Sequence, residues 1–289
     1  MTPNQYCENK VRQSGSSFYY SILFLSERQR AAITVLYAFY CEVNTIAEEC
    51  SEAQIAHNKL QWWTEEIYVT FNGDQHHQAN HPICLALKPL IQQYSLKIEY
   101  FLDIIRGIEM KLYHQNFQSF SDLETYCYHT AGAMRVLASE IMGYQNPETL
   151  KHAKFLGTAL QLTTILRHIK NDLALSRLYL PMDEMQQFGV TEEMLKNEEN
   201  GPQIRQLFIF QSERAESYFQ KSLSLLPETD RYSQRSGLIM AYIYLAVLKK
   251  IKKQNYPVLR KRVTINPFHK LWLAWNTARK EYKHSLSNY

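Results

Sequence analysis

The chain is poor in the residues that interrupt helices: nine glycines and nine prolines in 289 positions. Stretches that alternate apolar and polar residues are missing too, which excludes a strand-based architecture. Cysteine is sparse and unpatterned. Cys7, Cys41, Cys50, Cys84 and Cys127 are odd in number and scattered, with no CxxC, so neither a disulfide frame nor a thiolate zinc site is expected. Reduced thiols in a cytoplasm are the natural reading. No apolar run reaches membrane-spanning length; the longest, Leu238 to Leu248, reads as a buried helix. The first 17 residues are polar, so no signal peptide is expected. The glycine-rich dinucleotide and P-loop signatures, the HExxH zinc motif and the GxSxG nucleophile elbow are all missing, which sets those chemistries aside. Strong charge of either sign is absent as well. The net charge of +4 permits an anionic ligand or an anionic membrane surface without requiring either. Lysine and arginine cluster only at Lys249-Lys250-Ile251-Lys252-Lys253 and Arg260-Lys261-Arg262. Such clusters can touch phosphates, but solvated helix ends explain them more simply, and no nucleic-acid partner is expected.

What is present is helical periodicity in a globular composition, with 45% apolar and 21% charged residues. A single domain over residues 1–289 is expected. Ser26-Glu27 opens a helix running to about Glu49, with Ala31, Val35, Leu36, Phe39, Val43 and Ile46 on one stripe. Ser51 is the expected cap of the next, which carries Leu60, Trp63 and Ile67 and stops near Asn72-Gly73. After a polar loop to Asn80, helices are predicted over about 82–93 and 97–114. One from Ser121 to Gly143 and one from Pro147 to about Leu175 follow. Residues 176–201 carry Pro181 and Gly189 and read as an irregular lid or loop with a short helix. Helices resume at about 202–226, 231–254 and 267–284. The simplest architecture is an all-α bundle around a central cavity.

Three sets of residues could carry chemistry. Gln161, Thr164, His168 and Asp172 fall on one face of their helix at i, i+3 and i+4 spacing. A polar stripe there faces either water or a polar cavity, because an unpaired buried polar group costs roughly 1–3 kcal/mol. Taken alone, the solvated face is the commoner case. Glu42, Glu48 and Glu49 stand late in an apolar helix, where carboxylates bind a metal or pair with lysines; pairing is the simpler outcome. His77 and His81 have a metal-ligand spacing but lie by a loop with only Asp74 nearby, so a surface pair is expected.

An ordered set of short motifs is more specific than any of these. It comprises Ser14-Gly15-Ser16-Ser17-Phe18-Tyr19-Tyr20, Leu36-Tyr37-Ala38-Phe39, Trp62-Trp63, Tyr126-Cys127 with Ala131-Gly132, Gln161-Leu162-Thr163 with Arg167, and Arg177-Leu178-Tyr179-Leu180-Pro181. From about residue 5 to 275, in order and at matching spacing, it resembles the squalene/phytoene synthases. The opening segment and Lys270-Leu271-Trp272-Leu273-Ala274 look most like the hopanoid-pathway presqualene diphosphate synthases. The resemblance implies the isoprenoid synthase helical bundle. It also implies head-to-head condensation of two prenyl diphosphates, typically farnesyl, through a cyclopropyl intermediate. Magnesium held by two aspartate-rich helices would neutralise the leaving diphosphate. Carried over by motif, Tyr126 would guide the cyclopropyl step. Ser17, Phe18, Tyr37, Gln161, Arg167, Arg177 and Tyr179 would hold substrate.

The metal motifs depart from the family. Where it has Arg then Asp-Asp-x-x-Asp, this chain has Cys41, Asn44, Thr45 and Glu48. Where it has Asn-x-x-Arg-Asp-x-x-x-Asp, this chain has Thr164, Arg167, His168 and Asp172, with Asn171 at a commonly acidic position and Lys170 at a glycine. A usual aspartate is Lys111, and a small residue by the prenyl cavity is Arg135, which either blocks the cavity or reaches out of it. Glu48 and Asp172 would hold one magnesium at best, so metal binding is expected to be reduced or absent. The expected outcome is a weakened or lost standard activity, leaving a prenyl-lipid-binding or assembly-factor role. The alternative is an active transferase in which Lys111, His168 and Lys170 replace part of the metal charge. The resemblance is compatible with a cytoplasmic protein peripheral to the inner face of the membrane. No protein partner is identified.

Overall fold

A computed structural model describes residues 1–14, 18–50, 52–73, 79–113, 116–198 and 201–287. Among the described residues there are fourteen α-helices: α1 Pro3–Gln13, α2 Phe18–Ile22, α3 Glu27–Glu49, α4 Ala53–Asn72, α5 Pro82–Tyr94, α6 Ile98–Leu112, α7 Phe120–Cys127, α8 Ala133–Met142, α9 Glu148–Ala174, α10 Met182–Gln187, α11 Glu192–Lys196, α12 Pro202–Leu225, α13 Arg235–Lys253 and α14 Pro267–Ser287. No strand occurs among the described residues.

Local chemistry sets most boundaries. The Ser26 hydroxyl accepts from Gln29 N at 3.3 Å and starts α3 where expected. Pro82 and Pro202 sit in the first turns of α5 and α12, where no amide hydrogen is needed. The cap position of α4 is Glu52, without a side-chain cap bond; Ser51 lies outside the described residues. His81 caps α5 through Nδ1, which accepts from Ile83 N at 3.2 Å. Its expected companion His77, with Asp74, lies outside the described residues.

Three expectations are corrected. The chain before residue 18, read only as polar, contains α1, whose Cys7 is fully buried. The segment 176–201 holds two short helices, and the backbone N–H groups of Met182 and Asp183 tie it to Phe117 O and Gln118 O. The helix expected from Ser121 starts at Phe120, capped by Ser119, and is broken by a π-turn at Tyr128–Gly132. That turn accommodates unusually close neighbours. A β-carbon on Gly157 of α9 would lie 2.5 Å from Gly132 Cα, and one on Gly107 of α6 would lie 2.8 Å from His129 C. Two glycines thus let α6 and α9 press against the widened turn, a kind of bulge found often at functional sites.

Among the described residues the buried side chains form two clusters. One joins α3 to α6 with α8; the other is built on α9, α12 and α13. The run Leu238–Leu248 is a buried helix as expected, with Leu238, Ile239, Ala241, Ile243, Val247 and Leu248 at most 1% exposed. Between the clusters, α3, the π-turn, α8, α9 and α13 surround a cavity.

Candidate functional site

The cavity has a volume of about 720 Å³. Gln161, Thr164, His168 and Asp172 all line it, so the stripe on α9 faces a polar cavity rather than bulk water. Across from it, α3 contributes Tyr37, Tyr40, Cys41, Asn44, Thr45, Glu48 and Glu49. Residues of the two departed motifs therefore share one space. Glu42 does not join them; its carboxylate pairs with Lys10 at 2.8 Å.

Lys111 of α6 fills the place between the motif residues of α3. Its Nζ donates to Asn44 Oδ1 and to Glu48 Oε1, each at 3.0 Å, and Asn44 Nδ2 donates to the same Glu48 oxygen at 2.9 Å. Thr45 turns its hydroxyl back to Cys41 O at 2.7 Å. Burial acts to raise the Glu48 carboxyl, but Lys111 and Asn44 outweigh it and leave the group below its ordinary range. Asp172 behaves in the opposite way. Burial pushes it up to about 6, although Lys111 and Arg177 pull it down. Burial, with Arg167 and Arg262 nearby, lowers His168 to about 3. His168 is thus neutral near pH 7, and its buried Nε2 has no hydrogen-bond partner.

Several placements differ from expectation. His168 brings no positive charge because desolvation holds it neutral. Lys170 turns away to Glu198, at 2.6 Å, and Arg260 O, at 3.1 Å. Asn171 is exposed and lies off the cavity, since one helical step from Asp172 turns it through about 100°. Arg177 also stands off the lining; its Nη2 donates to Ala47 O at 2.6 Å, holding the end of α3. Ser17 lies outside the described residues.

Phe18, Tyr37, Gln161, Arg167, Tyr126 and Tyr179 do line the cavity. Phe18 stacks on Tyr37 at 3.9 Å between ring centres, and Tyr126 on Tyr179 at 5.3 Å. Burial drives both of the latter phenols upward, Tyr179 to about 12. Arg167 lies over the Tyr244 ring at 5.5 Å. Arg262 and Lys270 line the same wall, a contribution missed when Arg260-Lys261-Arg262 was read as a solvated cluster. Arg262 is exposed and marks where the cavity reaches solvent. Trp62 and Trp63 instead line a separate pocket of about 250 Å³ with His81 and Cys50.

Among the described residues three carboxylates border the cavity, Glu48, Glu49 and Asp172, against Lys10, Lys111, Arg135, Arg167, Arg262 and Lys270. Among the described residues no group of three or more His, Cys, Asp or Glu side chains is placed to hold a metal ion.

Residues 11–269 match the squalene/phytoene synthase family, and the chain belongs to it. It is 28% identical to the 15-cis-phytoene synthase of Synechococcus elongatus over 277 residues, covering 92% of this chain and 89% of that one. It is also 28% identical to the phytoene synthase of Mycobacterium tuberculosis over 275 residues, covering 92% and 87%. Among solved structures, a dehydrosqualene synthase in complex with ligand superposes with a TM-score of 0.83 at 25% identity, over 99% of this chain and 97% of that one. The squalene synthase HpnC from Alicyclobacillus acidocaldarius does so with a TM-score of 0.79 at 25% identity, over 88% and 94%. The all-α isoprenoid synthase bundle is thereby established.

Proposed function

We propose that this protein binds a prenyl diphosphate or related prenyl lipid in the central cavity, and that the family's magnesium-dependent head-to-head condensation is weakened or lost. A binding or assembly role would remain. The observation that carries this reading is Lys111 hydrogen-bonded to both Asn44 and Glu48. A divalent cation entering there would meet a tethered ammonium on the carboxylate it needs. The remaining donors do not fit a cluster of hard, six-coordinate magnesium ions. No reaction step is therefore assigned to a metal. The chain's own groups would act on the ligand directly: Arg167, Arg262, Lys270 and Lys111 on the anionic head, and the aromatic walls on the tail.

A second reading has its own support. Lys111 and the arginines supply positive charge, and Tyr126 and Tyr179 remain stacked in the wall, so a cation-assisted transferase is the alternative. Incubation with farnesyl diphosphate, with and without magnesium, separates the two. Binding without pyrophosphate release supports the first reading; metal-dependent turnover to C30 products overturns it.

Peripheral association with a membrane belongs to the same reading. Phe268, Leu271, Trp272 and Trp275 recur at helical spacing on α14 and are 81%, 44%, 53% and 45% exposed. The surrounding segment 260–287 carries seven lysines and arginines, and its one acid, Glu281, is buried against Arg231. No helix among the described residues is long and apolar enough to cross a bilayer.

A further inference from the structure

Arg135 on α8 lines the cavity yet is only 7% exposed. Its Nε is buried without a hydrogen-bond partner, and no carboxylate among the described residues lies within ion-pair distance of it. Burial alone lowers its pKa, to about 10, so it remains a cation near neutrality. It therefore neither reaches out of the protein nor pairs within it. A guanidinium offers five donors in a planar fork suited to a carboxylate or phosphate, and burying one unpaired is costly.

Its position matters. A β-carbon on Gly237 of α13 would lie 3.2 Å from Arg135 Nη2 and equally 3.2 Å from Leu156 Cδ2, so the guanidinium sits beside Leu156 of α9. Leu156 and Arg167 are eleven residues apart on one continuous helix, about 16.5 Å along its axis and within reach of an extended twelve-carbon dicarboxylate. Arg135 is thus set apart from Arg167 and from its neighbours Arg262 and Lys270, on another part of the same cavity wall. Gly237 contributes by leaving room: any larger residue would press on the fork.

We propose that Arg135 forms a second anion-accepting subsite, so that the preferred ligand carries a carboxylate or phosphate at the end of its apolar chain remote from the head group. This inference rests on the cavity being a lipid site and specifies which lipids it takes. A purely hydrocarbon tail would leave the guanidinium desolvated and unpaired. A doubly anionic chain would satisfy both ends.

The test is calorimetric titration of the full chain with dodecanedioate, dodecanoate and farnesyl thiodiphosphate. Wild type is expected to bind dodecanedioate at least about tenfold tighter than dodecanoate, as a charge-assisted fork contact requires. Arg135→Leu should erase that preference and tighten farnesyl thiodiphosphate several-fold; Arg135→Lys should keep part of the preference. Circular dichroism and Tm confirm that the variants fold. If farnesyl thiodiphosphate binds wild type but the preference is absent, or survives in Arg135→Leu, the subsite is refuted while the cavity reading stands. If none of the three binds wild type, both fall.

Discussion

Removing Lys111 should restore affinity for magnesium, and the size of the gain follows from geometry. The ammonium is 3.0 Å from the Glu48 oxygen that a metal would use. A divalent ion on that carboxylate would stand about 4 Å from the ammonium, where a unit and a double charge repel by roughly 2 kcal/mol even at the dielectric of water. That corresponds to about thirtyfold in affinity. Lys111→Met should therefore bind magnesium about thirtyfold more tightly. Lys111→Asp, which also supplies a ligand, should gain more. Adding Asn44→Asp, Thr45→Asp and His168→Asp should raise it again, because all three positions border the cavity. Asn171→Glu should add nothing, since that side chain faces away. The ion pair is partly exposed, 13% at Lys111 and 52% at Glu48, so its loss should cost only about 1 kcal/mol of stability. Calorimetric titration with magnesium chloride in 0.15 M salt measures the gain. An unchanged affinity in both Lys111→Met and the multiply substituted chain would refute the argument, because the ammonium would then not be what keeps the metal out.

Further outcomes follow from the same structure. Asp172, raised to about 6, holds its proton more tightly in the folded state, so its contribution to stability falls as pH rises from about 4 to 6. His168, lowered to about 3, binds its proton less tightly when folded, so its contribution is lost as pH falls from about 6.5 to 3. Tm measured across pH 4–6 should rise with pH more steeply in Asp172→Asn than in wild type, and less steeply in His168→Gln; equal slopes would contradict the assigned burial. Gly157→Ala would place a methyl 2.5 Å from Gly132 Cα and should lower stability by about 1–3 kcal/mol in denaturant unfolding. The α14 face should bind vesicles of phosphatidylcholine with 30% phosphatidylglycerol in flotation assays. Trp272→Ser with Trp275→Ser should weaken that binding about tenfold or more, and 0.5 M salt should weaken it as well.

Helix boundaries were largely legible from single residues. Ser26, Gly73, Pro82, Pro147 and Pro202 act on the backbone within a turn of themselves, so their effect needs no tertiary context. The π-turn was not legible, because what opposes Gly132 is Gly157, brought against it by α9 and remote in sequence. The same division runs through the site. The ordered motifs identify the family, and the replaced acids are plain in the sequence. Periodicity alone favours a solvated face for Gln161, Thr164, His168 and Asp172; it is α3, packed across from them, that makes it a cavity wall.

Charge shows the limit most clearly. By sequence, Lys111 and His168 at lost acids and Lys170 at a glycine position were equivalent candidates for positive charge in the cavity. Packing separated them: Lys111 is held by Asn44 and Glu48, His168 is desolvated to neutrality, and Lys170 is turned to Glu198. The sequence by itself determined the helical bundle, because periodicity and caps are local properties of the backbone. Only the tertiary structure decided which side chains carry charge into the cavity, because burial and pairing depend on residues distant along the chain.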